Sequence, residues 1–139
     1  MAESLAHISY VKKIISYMLA SVPECQQCMI QADLAEYGKR TPQVTGGYYP
    51  DVYYRTPSYF LIGEAKTDGD IDNHHTNAQI DCYIQELRLG FQKEKHLVLS
   101  SSLYSFAMLK NMIALKKRCE DLNDIKFHII DNIAQVAIL

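Results

Sequence analysis

Long uninterrupted apolar segments are missing from this chain. No stretch approaches the ~20 apolar residues that a membrane-spanning helix needs, so the sequence predicts no membrane partner. A secretory leader is not legible either: Met1-Ala2-Glu3 opens with an acid, and the apolar residues after it are spaced helically. Together these absences predict a cytoplasmic protein. An excess of basic charge is missing too, since 14 Lys and Arg stand against 16 Asp and Glu, a formal net charge of −2. Overall charge therefore advertises neither nucleic acid nor membrane. Local basic groups do exist, at Lys12-Lys13, Lys39-Arg40, Lys93 with Lys95, and Lys116-Lys117-Arg118. Each could face DNA, although a solvated helix face is the ordinary role of any one of them. Six Gly and four Pro are few, nothing reads as linker or low complexity, and no internal repeat is found. A phosphate-binding Gly-rich loop, a Gly-x-Ser-x-Gly elbow and a His-Glu-x-x-His pair are all absent, which counts against the chemistries they carry.

What is present is 139 residues, 48% of them hydrophobic. That suits one domain over residues 1–139, long enough to bury a core without disulfides or structural metals. Of the four cysteines, Cys25-Gln-Gln-Cys28 has redox or zinc-knuckle spacing, but Cys82 and Cys119 lie far apart in helical patterns. Buried thiols are the expectation, and a redox or zinc protein is the weakest of three functional readings.

The periodicity predicts a helix over 4–21, with Leu5, Ile8, Val11, Ile15, Met18, Leu19 and Val22 as its apolar stripe and Ser4 as its cap. A strand through 28–34 is followed by a loop at Pro42 and Gly46-Gly47. "DVYY" and "YFLIGEAK" read as strands joined by "RTPS". A polar connection leads into a helix near 73–89, where Ile80, Tyr83, Ile84 and Leu87 share a face and Gly90 is a natural C-terminal cap. "KHLVLSS" is a short buried strand. A third helix follows with Met108, Met112, Leu115, Cys119 and Leu122 in register, then a strand at "IKFHIID" and a last short element. The fold class is α/β: a mixed sheet with helices on both faces. "YFLIG" lacks polar alternation, as a central strand covered on both sides should.

The stretch "GGYYPDVYYRTPSYFLIGEAKTDGD" sets an acid before one strand and Glu-Ala-Lys at the end of the next, where such residues are disfavoured. Side chains alternate, so Glu64 and Lys66 share a side. If "RTPS" closes the hairpin with Tyr54 opposite Tyr59, Val52 pairs with Leu61 and Asp51 with Ile62. Asp51 then shares a face with Glu64 as its diagonal neighbour. Two carboxylates beside an ammonium suit a hard divalent cation that shares its positions with water and phosphate. The lysine would hold or deprotonate an attacking water. The competing reading is a hairpin with charged ends on a solvated edge.

The arrangement resembles the PD-(D/E)xK nuclease superfamily. Pro50-Asp51 matches its first motif and Glu64-Ala65-Lys66 its second, with twelve residues between Asp51 and Glu64. The resemblance implies a restriction-endonuclease-like fold, an αβββαβ core with an added C-terminal helix and strand. It implies Mg²⁺, with Mn²⁺ able to substitute, held by Asp51, Glu64 and the main chain of Ala65, while Lys66 handles the water. Gln79 with Tyr83 in "QIDCY" looks like the Gln-xxx-Tyr element of the same superfamily, which gives Gln79 a supporting catalytic role. Thr76-Asn-Ala-Gln79 equally scans as a capping box. In that case Gln79 only closes a helix end and His75, the further candidate, lies outside the helix. Glu3 with His7 one turn on, Asp33, and the acids Asp68, Asp70 and Asp72 are further candidates to reach a metal. Glu3, Asp70 and Asp72 are better read as helix-end or loop residues, and Asp33 is the one to test. His96 and His128 flank strands and are expected to be structural.

The functional expectation is a Mg²⁺-dependent endodeoxyribonuclease acting on DNA, as a homodimer or as the nuclease partner of a larger DNA-processing assembly. The alternative is a non-catalytic nucleic-acid- or protein-binding member of the same fold.

Overall fold

The computed structural model describes residues 4–38, 40–68, 73–131, 133 and 135–139. Its order is α1 (Leu5–Ser21), β1 (Gln31–Ala32), β2 (Val52–Arg55), β3 (Tyr59–Lys66), α2 (Asn73–Leu89), β4 (Glu94–Ser101), α3 (Leu103–Cys119), β5 (Lys126–Ile130) and β6 (Val136–Ile138). The strands form one six-stranded sheet in sequence order. β1, β2 and β3 are antiparallel neighbours, β3, β4 and β5 run parallel, and β6 returns antiparallel. The parallel steps are the ones that need crossovers, and α2 and α3 supply them. The molecule is thus a mixed α/β fold with helices on both faces. Among the described residues, no helix is long and apolar enough to cross a membrane.

Two cores follow from the alternation along β3. Phe60 and Ile62 pack with Ile80, Tyr83 and Leu87 of α2 and with Leu109 and Ile113 of α3. Leu61 and Ala65 point the other way, against Val11, Ile14, Ile15 and Met18 of α1. Helix α1 sits close to the sheet because Gly63 allows it: a Cβ there would lie 2.9 Å from Ile14 Cγ2 and 3.1 Å from Val52 Cβ. Ser4 caps α1 as expected, its hydroxyl accepting from His7 N at 3.0 Å. Leu5 and Leu19, however, fall off the buried stripe and are exposed.

Several expectations need correction. The strand foreseen at 28–34 shrinks to Gln31–Ala32, preceded by a short 3₁₀ turn. Gly90 does follow α2 directly, its N–H donating to Leu87 O at 3.1 Å, but it is not at positive φ. It is a close-approach glycine instead, since a Cβ would meet the Phe60 ring at 2.6 Å. On α3 the sheet takes Ser105, Leu109, Ile113 and Lys116, leaving Leu115 and Cys119 exposed. Two polar anchors fix that rotation. Ser105 Oγ donates to Asp68 Oδ1 at 2.6 Å, and Lys116 Nζ donates to Asp81 Oδ1 on α2 at 2.6 Å. Lys116 is therefore committed to an intramolecular pair and drops out of the basic group on this helix. The thiols are less buried than expected: Cys25 and Cys82 are half-buried, Cys28 and Cys119 exposed, and all four are free. Burial raises the Cys25 thiol pKa, the opposite of what a redox pair needs.

At the N-terminal end of the parallel strands, His96 Nδ1 meets His128 Nε2 at 2.8 Å. His128 Nδ1 in turn bonds the Tyr17 hydroxyl at 2.6 Å, and Tyr59 stacks on His96 with ring centroids 4.6 Å apart. These histidines lie within β4 and β5 and tie α1 to the sheet, the structural role expected of them.

Candidate metal centre

The acids and the lysine meet where β3 ends and β2 begins. The hairpin turn lies one residue further along the chain than the sequence suggested: Arg55 pairs with Phe60, Tyr54 with Leu61 and Val52 with Gly63, and Thr56 N donates to Tyr59 O at 2.8 Å. The register has slipped by two residues, which preserves the face. One step beyond Val52–Gly63, Asp51 comes directly opposite Glu64 instead of diagonal to it. Asp51, Glu64, Lys66 and Gln79 are all buried. A solvated hairpin end does not describe them.

Asp51 is the hub. Its Oδ2 accepts from Ala65 N at 2.9 Å, so the middle residue of Glu-Ala-Lys enters through its N–H. Its Oδ1 lies 3.2 Å from His7 Nε2, in the first turn of α1. Its main-chain oxygen accepts from Asp33 N at 2.9 Å, because Asp33 follows β1 directly and β1 pairs with β2. His7, Asp33 and Asp51 each offer a ligand atom, and the three atoms lie within 4.8 Å of one another. Three segments that are remote in sequence thus supply an imidazole and two carboxylates to one point.

Glu64 stands on the α2 side of that hub. Its Oε1 accepts from the Tyr83 hydroxyl at 2.6 Å, and the same hydroxyl accepts from Gln79 Nε2 at 3.1 Å. Burial first, and then the charge of Asp51, push the Glu64 pKa well above the usual carboxylate range, while Lys66 and Tyr83 oppose the shift. Burial and the Glu64 charge also raise the Tyr83 pKa, so Tyr83 stays a neutral donor. Gln79 Oε1 is buried without a hydrogen bond from the described residues. The capping-box reading fails, because α2 already runs from Asn73 and Thr76 lies inside it. Gln79 and Tyr83 then fall one turn apart on the face that reaches Glu64.

Other candidates fare differently. His75 is exposed and rests edge-on against Tyr48 at 5.9 Å. Asp68 Oδ1 accepts from Ser102 and Ser105 at 2.5 and 2.6 Å, which gives it a capping task near α3. Glu3, Asp70 and Asp72 lie outside the described residues. Tyr83, which the sequence places both on the core face of α2 and beside Gln79 in "QIDCY", is the residue that links Gln79 to Glu64.

The donor set bears on metal preference. Carboxylates alone suit Mg²⁺, whereas an added imidazole favours softer or borderline ions such as Mn²⁺. His7→Ala is expected to weaken Mn²⁺ binding about tenfold while changing Mg²⁺ binding much less, as measured by the metal-dependent rise in melting temperature. Equal losses for both ions would remove His7 from the ligand set.

Comparison of the chain with protein-family models, with curated proteins and with solved structures gives no match.

Proposed function

We propose that this chain is a metal-dependent nuclease that hydrolyses phosphodiester bonds in DNA, built on a restriction-endonuclease-like core. One observation carries the reading: Asp51, Glu64 and Lys66, which the PD-(D/E)xK resemblance singles out, are buried together at one end of the sheet. Buried charges are costly without partners: with both facing carboxylates ionised the site is net negative in a dry place, and without a cation Glu64 relieves this by holding its proton, as its raised pKa indicates. A divalent cation answers that need. The donors fit one, with Asp51, Glu64 and the Ala65 main-chain carbonyl as the set the resemblance implies, and Asp33 and His7 beside them. Mg²⁺ or Mn²⁺ held there would supply an activated water and neutralise charge developing on the phosphodiester.

The chain's own groups have separable tasks. Asp51 fixes the position of Glu-Ala-Lys through the Ala65 N–H. Tyr83 orients the Glu64 carboxylate, and Gln79 orients Tyr83. Lys66, on the same side of β3 as Glu64, donates to the attacking water or to a phosphate oxygen. The small size of the domain favours action as a homodimer or as the nuclease subunit of a larger DNA-processing assembly.

Cleavage tests this. Supercoiled plasmid and labelled single-stranded and branched DNA are incubated with Mg²⁺ or Mn²⁺ and wild type, Glu64→Ala or Lys66→Met. The expected result is metal-dependent cutting that falls by about 10³ or more in both variants. DNA binding without cutting by any form of the protein would favour the non-catalytic alternative.

A further inference from the structure

A cleft of about 630 Å³ opens directly beside the acidic centre, lined by Asp33, Arg40, Thr41, Gln43, Tyr49 and Pro50. It shares Asp33 with the ligand group, and Pro50 precedes Asp51 in the chain. Its size lies within the range of small-ligand sites. Two of its walls are chemically distinctive: Arg40 is exposed, and Tyr49 is 63% exposed.

This exposure does not come from a loose segment. Thr45 N and Oγ1 both donate to Glu86 Oε1 on α2, at 2.8 and 2.9 Å. Val44 N donates to Tyr48 O at 2.8 Å, Gln43 Nε2 to Gly47 O at 3.2 Å, and Thr41 Oγ1 to Pro50 O at 2.5 Å. Gly46 and Gly47, at φ +81° and +82°, make the turn that these bonds require. The neighbouring Tyr48 turns the other way, edge-on to Tyr83 at 6.1 Å. Successive tyrosines therefore split, one towards the Glu64 partner and one into the cleft. The ring of Tyr49 is held out to solvent by a braced loop.

We propose that this cleft binds one unpaired nucleotide of the DNA strand next to the bond that is cut, its base stacked on Tyr49 and its phosphate held by Arg40. An aromatic face and a guanidinium are the two groups that single-strand binding sites combine, and the ring can accept only a base whose face is free. Paired bases inside a duplex are already stacked. The inference rests on the nuclease reading and narrows its substrate class to single strands, flaps or frayed ends. The carboxylate of Asp33, which the cleft shares with the ligand group, repels the phosphate backbone unless a cation is bound, so the phosphates lie towards Arg40 and the metal and the base on Tyr49.

The test is built on an absence, because the chain contains no tryptophan. Tyr49→Trp places a sole indole in the cleft, and its fluorescence is followed with Ca²⁺ in place of Mg²⁺, so that the acidic centre is neutralised without turnover, as oligothymidylate or a blunt duplex of equal length is added. The single strand is expected to quench the indole and to bind about tenfold more tightly than the duplex. In parallel, Arg40→Ala and Tyr49→Ala should each weaken single-strand binding about tenfold, while Tyr49→Phe stays near wild type. Absence of quenching, or equal binding of duplex and single strand, overturns the proposal. Because binding is read without cleavage, quenching by a protein that cuts nothing would sink the nuclease reading and keep the cleft. Cutting by a protein whose indole is not quenched would do the reverse.

Discussion

Replacing Asp51 by asparagine is expected to abolish metal-dependent cleavage, by about 10³-fold or more, with little loss of fold. The size of the effect comes from the number of contacts that converge on this side chain. Asp51 accepts the Ala65 N–H, touches His7 and faces Glu64, so it holds the centre together as well as contributing charge to it. Asparagine keeps an oxygen for Ala65 and nearly the same shape. Weakening a charge-assisted hydrogen bond costs about 1 kcal/mol, but the same change relieves the repulsion against Glu64, and the two effects oppose one another. Melting temperature in EDTA should therefore shift by only a few degrees, about 3 °C or less, while activity disappears. A variant that cuts at more than about a tenth of the wild-type rate would remove Asp51 from the chemistry.

Acid is expected to destabilise the protein through the histidines that dock α1. Burial first, then His96 and Lys126, push the His128 pKa down from its ordinary 6.5 to about 4. His96 is lowered as well, by burial and Lys126, with Glu94 opposing. The groups facing this pair are Tyr17 from α1, Tyr59 from β3, and Glu94 and Lys126 on the pair's own strands. A depressed histidine binds its proton later in the folded than in the unfolded chain. Its stabilising contribution is present in full above 6.5 and is lost as the pH falls through 4. For His128 alone the loss is about 2–3 kcal/mol after discounting for partial solvent access, or roughly 8 °C in melting temperature. His128→Asn, which keeps hydrogen-bonding groups but does not titrate, should start lower at neutral pH and fall less steeply between about pH 6.5 and 4. Parallel slopes for variant and wild type would show that other groups govern acid unfolding.

Much of the frame was legible in the sequence because it is periodic. The stripes of α1 and α2 and the unbroken apolar run of β3 each state a face and a partner layer. The hairpin register differs from the expected one by two residues, yet parity is what decides facing, and so Asp51 and Glu64 still meet. The misreadings share a cause. On α3 two apolar stripes compete, and the choice of Leu109 and Ile113 over Met108 and Leu115 is set by Ser105–Asp68 and Lys116–Asp81, contacts between elements remote in sequence. The positions of His7 and Asp33 beside Asp51 likewise depend on how α1 and the two-residue β1 pack on β2. No local pattern encodes either. Motif spacing found the strand-borne half of the centre, and packing supplies the other half.

A metal centre built on Asp51 is tested most simply by calorimetric titration of Mn²⁺ into the wild-type protein and into Asp51→Asn at neutral pH. A saturable Mn²⁺ site is expected in each wild-type chain, and its loss in the variant. No binding by the wild type, or binding of equal strength by both, would contradict a metal centre built on Asp51.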